Sequence, residues 1–106
     1  MDFEAILEAA LRAGLGQAKA GGKAAEKWMR EMAKAHEGRL EMILRAMSSG
    51  EISKETGAVL IRDSADAMRA EAATLTIIAR AAAQGAVNAF VATLRSGVSA
   101  ALKIAI

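Results

Sequence analysis

Several residue types are missing or scarce in this 106-residue chain, and each scarcity removes a class of function. Cysteine is absent, which excludes a disulfide framework, a thiolate zinc site and thiol catalysis together. Proline is absent as well, so nothing forbids long uninterrupted helices. Aromatic residues make up 3% of the chain although 54% of it is apolar. The apolar surface is therefore built from Ala, Leu, Ile, Val and Met, with few rings for stacking on bases. Histidine occurs once, at His36. The Ser and Asp residues around Ser48, Ser53, Asp63, Ser64 and Asp66 lack the His partner a serine nucleophile would use, and a metal finds no second imidazole.

Acidic residues also run out along the chain. Up to Glu71 there are eleven cations and twelve acids, a net −1, and beyond it only Arg80, Arg95 and Lys103, a net +3. A charged, amphipathic front is followed by an apolar, weakly basic back. The acidic start at Asp2 and Glu4 does not read as a secretory leader, which would be basic. The expected setting is cytoplasmic or within a larger assembly, with peripheral membrane attachment as the competing location.

What is present is helix-forming throughout. Ala, Leu, Met, Glu, Lys, Arg and Gln dominate, and β-branched residues are scattered rather than alternating. The fold expected is all-α: one domain over residues 1–106, an antiparallel hairpin or bundle with one long Ala-rich central helix, completed by oligomerisation. The first helix should cover about residues 2–18, with Phe3, Ile6, Leu7, Ala10, Leu11 and Leu15 on one face. Gly21-Gly22 should break it. A second helix over 23–47 carries Trp28, Met29, Met32, His36, Leu40, Ile43, Leu44 and Met47 on its apolar side, and Gly50 suits its C-terminal cap. Ser53 caps a third helix expected over 53–94. Arg95-Ser96-Gly97 should end it, leaving a terminal helix over 98–105. The short Ser48–Ile52 loop makes helices two and three an antiparallel hairpin.

The third helix holds the most informative pattern. Ile61, Ala65, Met68, Ala72, Leu75, Ala79, Ala82, Ala86, Ala89 and Thr93 alternate steps of three and four residues. Such a 3.5-residue repeat keeps one seam turned toward a partner helix, and Ala at 65, 72, 79 and 86 lets that partner come close. Ile77, Val87, Val91, Leu94, Val98 and Leu102 form a second apolar surface largely off the seam, while Phe90 flanks the seam. A helix apolar over most of its circumference must be buried over most of it.

No catalytic constellation emerges. His36 follows Ala33 where a bundle metal site would have Glu three residues earlier. Gly16, Gly22 and Lys23 miss the phosphate-loop spacing, with Ala24 in place of the hydroxyl. Asp63 and Asp66 lie beside Arg62 and Arg69 as surface charge pairs. Lys19, Lys23, Lys27, Arg30 and Lys34 form a basic stripe, but Glu26 and Glu31 dilute it, so nucleic acid is a disfavoured partner. No cofactor or metal is implied.

The function expected is a non-catalytic structural or interaction module that self-associates through the long helix, pairing with itself or with another helical protein. Its contact residues would be Leu75, Ala79, Ala82, Ala86, Phe90, Val91 and Leu94. The alternative is membrane association through the C-terminal segment. Gly85 to Ile106 is long enough to span hydrocarbon, but Arg95 at its centre opposes insertion by about 2.5–3.5 kcal/mol. In that reading Arg95 and Lys103 meet lipid phosphates or other anions.

Overall fold

A computed structural model describes residues 2–103. Four α-helices make up almost all of it: α1 (Phe3–Ala18), α2 (Gly22–Ser49), α3 (Lys54–Glu71) and α4 (Ile77–Leu102), with single 3-10 turns at Lys19–Gly21 and Ala72–Thr74. Local chemistry sets most of the boundaries. The Asp2 carboxylate accepts the Ala5 N–H at 3.0 Å and the Ser53 hydroxyl accepts that of Thr56 at 3.1 Å, each satisfying a backbone donor that a helix start leaves open. Gly22 (φ 79°) turns the chain between α1 and α2, and Gly50 (φ 81°) closes α2 in the left-handed region, where an L side chain is strained.

The helices alternate in direction. Gly14 of α1 lies against Met29 of α2 and the Ala86 carbonyl of α4, and Gly97 of α4 lies against Ile6 of α1. These pairings run α1 antiparallel to both neighbours. Gly57 of α3 sits against the Met47 side chain, so α2 and α3 form the antiparallel hairpin expected from their short loop. The result is an up-down-up-down bundle 41 Å long and 21 Å across. Its core is filled by Met29, Leu40, Leu44, Ile61, Met68, Val87, Phe90, Leu94 and Val98, all at most 2% exposed. α4 is central and packs against all three other helices.

Two expected boundaries are corrected. The helix expected over 53–94 is interrupted: α3 ends at Glu71 and α4 begins at Ile77. Leu75 is extended (ψ 161°), the Thr76 hydroxyl accepts the Ala79 N–H at 3.4 Å, and the Thr74 hydroxyl donates to the Glu71 carbonyl at 3.1 Å. The Arg80 guanidinium then donates to the Ala73 and Leu75 carbonyls at 3.1 and 3.2 Å. An apolar seam is served equally by a straight helix and by a hairpin whose two arms both bury it. Hydroxyl capping decides for the hairpin.

Conversely, Arg95-Ser96-Gly97 breaks nothing. α4 runs through to Leu102 and is capped by Lys103 in the left-handed region (φ 55°). Gly97 is there for proximity, because a Cβ would lie 3.0 Å from Ile6 Cγ2. The helix expected over 98–105 is thus the end of α4, and its residues 104 and 105 lie outside the described residues.

Candidate interaction surface

The closest helix pair is α1 on α4. On α1 the buried positions are Leu7, Ala10, Gly14 and Ala18, so three of the four are small and stand at four-residue steps. They face Ala79, Ala83 and Ala86 of α4, all at most 3% exposed. Cβ atoms added at Gly14 and Gly21 would lie 3.1 Å from the Ala86 carbonyl and 2.7 Å from the Ala82 Cβ. Small residues on both sides let the backbones approach. For the α4 half of the Ala seam, Ala79 and Ala86, the partner is therefore α1 of the same chain.

The contact residues expected from sequence lie largely inside this packing. Ala79, Ala86, Phe90 and Leu94 are buried, and Leu75, Ala82 and Val91 are half-buried. Val87 and Val98, assigned to a second surface, are fully buried as well. The buried positions of α4 advance by eleven residues for every three turns: Ala79 to Phe90, Ala83 to Leu94 and Val87 to Val98. That 3.67-residue period follows a nearly straight helix, whereas a strict heptad drifts off the buried side. Hence Ala82, Ala89 and Thr93 end up half-exposed and Phe90 goes to the centre.

A different surface remains open. Beside their contact, α1 carries Ala9, Ala13 and Gly16, and α4 carries Ile78, Ala82, Gly85, Ala89, Ala92 and Ser96, in rows at helical steps and each exposed or half-exposed. No charged side chain stands in either row. Ile78 is 74% and neighbouring Ile77 81% exposed, the two most exposed large apolar side chains among the described residues. Gly16 and Gly85 occupy helix interiors with nothing within 4 Å of an added Cβ, so nothing in the bundle requires them. This shelf went unread in the sequence. Its signal was present as Ala9, Ala13 and Gly16 in α1 beside Ala82, Gly85 and Ala89 in α4.

The charged features sit elsewhere. Lys19, Lys23, Lys27, Arg30 and Lys34 are exposed, and Lys27 stands 4.0 Å from Glu31. Arg30 and Lys34 form one wall of a 290 Å³ groove between α1 and α2, opposite Glu4 and Glu8, with Leu7, Ala33 and Phe90 as its floor. Mixed signs facing one another make a weak field for a polyanion. Arg45 pairs with Glu41 at 2.8 Å and lies 5.1 Å over the Phe3 ring, holding the start of α1 to α2. Arg69 joins Asp66 at 3.0 Å and donates to the Asn88 side chain, tying α3 to α4. His36 is half-buried on α2. Among the described residues no three His, Asp or Glu side chains gather where they could hold a metal ion.

Arg95 on α4 and Lys103 at its C-terminal cap are both exposed. Among the described residues α4 is the one helix long and apolar enough to cross a membrane by length and composition. It is also, with α2, one of the two helices that pack against all three others. Comparisons with known proteins add no further constraint: no family model, no curated protein and no solved structure matches this chain.

Proposed function

We propose that this protein is a non-catalytic helical interaction module that pairs with a second copy through the uncharged α1/α4 shelf. The observation that carries the reading is the exposure of Ile77 and Ile78 at the head of that shelf. α4 has 26 residues and α1 has 16, which is about 39 and 24 Å of helix. With helices spaced about 9 Å apart, the shelf has a projected area of roughly 600 Å². That is at the upper end of what monomers leave open and the lower end of what a dimer buries per partner. A surface without charge offers no sign for a charged partner to complement. Its own copy, related by a two-fold axis, matches it in polarity and in the smallness of its side chains. Reversible pairing is expected rather than an obligate dimer.

The contact residues are then Ile78, Gly85, Ala89 and Ala92, with Ala79, Ala86, Phe90 and Leu94 shaping the helix from below. Ala92 is exposed, so Ala92→Glu tolerates folding while placing a carboxylate in the middle of the interface. Sedimentation equilibrium should find wild type dimerising at micromolar to hundred-micromolar concentration and Ala92→Glu monomeric, with equal helix content by circular dichroism. Wild type that sediments as a monomer throughout that range refutes the proposal.

A further inference from the structure

We infer that residues 72–76 are a hinge, and that two copies can exchange α4 by straightening α3 and α4 into one helix over residues 54–102. This goes beyond pairing at the shelf and does not depend on it. Three observations carry it. First, the apolar register does not notice the break: Ala65, Ala72, Ala79 and Ala86 stand at seven-residue steps, with Met68 and Leu75 between them. The continuous register that a straight helix over residues 54–102 needs is therefore already present in the sequence. Second, the turn contains none of the residues that force one. From residue 58 to residue 84 there is no glycine and no proline, and no residue there has a positive φ. The break rests on the Thr74 and Thr76 hydroxyls and on Arg80 bonding to the Ala73 and Leu75 carbonyls. Third, Ile77 and Ile78 are left 81% and 74% exposed at the turn.

Straightening answers each of these. The donors and acceptors that the two helix ends hold out are satisfied within a continuous helix. α4 leaves its own α1 and α2 and docks on those of the second copy, remaking the same contacts, which is why exchange of an identical element is a low-cost route to a dimer. The two long helices cross at the hinge, where Ile77 and Ile78 of both copies meet. The partner is therefore a second copy of this chain, and the new contact is the crossing point.

The chain has no cysteine, so spin labels can be placed at will. Val59→Cys on α3 and Ala101→Cys on α4 are both exposed sites. In the hairpin their separation stays within the 41 Å long axis of the molecule. In one helix the 42 intervening steps extend to about 63 Å. Pulsed electron resonance on labelled chain diluted tenfold with unlabelled chain reads the distance within single chains. Shelf pairing leaves that distance short, so failure of either idea is seen separately.

Wild type should show the short distance when dilute and a growing population near 60 Å toward millimolar concentration. Thr76→Ala with Arg80→Met should raise that population several-fold. Thr76→Pro should abolish it. Thr76 has φ −60° and follows an extended residue, so proline fits the hairpin, but it cannot sit inside a continuous helix. Long distances that persist undiminished in Thr76→Pro overturn the inference. So does their absence at millimolar concentration both from wild type and from the double variant; should the double variant lose its helical circular dichroism, wild type alone decides.

Discussion

Gly85→Ala tests folding and association with one methyl group and sets opposite signs on the two. In the bundle the added Cβ meets nothing within 4 Å, and Gly85 lies in the middle of α4 with no positive φ. Alanine removes backbone freedom from the unfolded chain and should therefore stabilise the monomer by about 0.5–1 kcal/mol. For a domain of this size that raises Tm by about 2–8 °C. At the shelf the same methyl stands where a second helix must come close, and overpacking of that kind should weaken dimerisation by about tenfold. Gly38→Ala is the matched control, equally unobstructed but exposed on α2 away from the shelf. Thermal unfolding by circular dichroism at low micromolar concentration should show both variants above wild type. Sedimentation equilibrium should show weaker dimerisation for Gly85→Ala alone. A fall in Tm for Gly85→Ala contradicts the open space seen at that site. Equal association of the two variants removes Gly85 from the interface.

Two further substitutions probe the interior. Gly14→Ala places a Cβ 3.1 Å from the Ala86 carbonyl oxygen and 3.2 Å from Met29 Cε; α1 must lift off α4, and a net loss of about 1–2 kcal/mol in urea unfolding is expected despite the helix-propensity gain, whereas unchanged or increased stability argues against the close pairing. Ser64 is 1% exposed and its Oγ has no hydrogen-bond partner, so Ser64→Ala should stabilise the fold by about 1 kcal/mol, read as a higher urea midpoint at constant slope; a lower midpoint means the hydroxyl is satisfied.

What was legible in the sequence was local. Asp2 and Ser53 accept backbone N–H groups within their own first turns, and Gly22 and Gly50 adopt conformations that few other residues tolerate, so the ends of α1 and α2 and the start of α3 followed from residue chemistry alone. The Ala72–Thr76 turn did not. Threonine is unremarkable inside a helix until its hydroxyl captures the Ala79 N–H, and which of the two happens depends on whether α3 has somewhere to fold back to. Gly97 shows the reverse error. Its sequence context resembles a helix stop, yet its lack of a side chain serves Ile6 on another helix.

Which helix covers the seam is decided by the small residues of α1. The seam calls for a partner helix, and the apolar face of α1 shows in the sequence as Phe3, Ile6, Leu7, Ala10, Leu11 and Leu15, most of them too large for close approach. Of these only Leu7 and Ala10 are buried; Ala10 joins Gly14 and Ala18 in the close contact, and the three match Ala79, Ala83 and Ala86 in size. Once α1 occupies that seam, its outer neighbours Ala9, Ala13 and Gly16 line up with Ala82, Gly85 and Ala89, and a second uncharged surface arises that neither helix has by itself. Helix pairing thus moves the exposed apolar surface from the side the seam points to onto the side that two helices share.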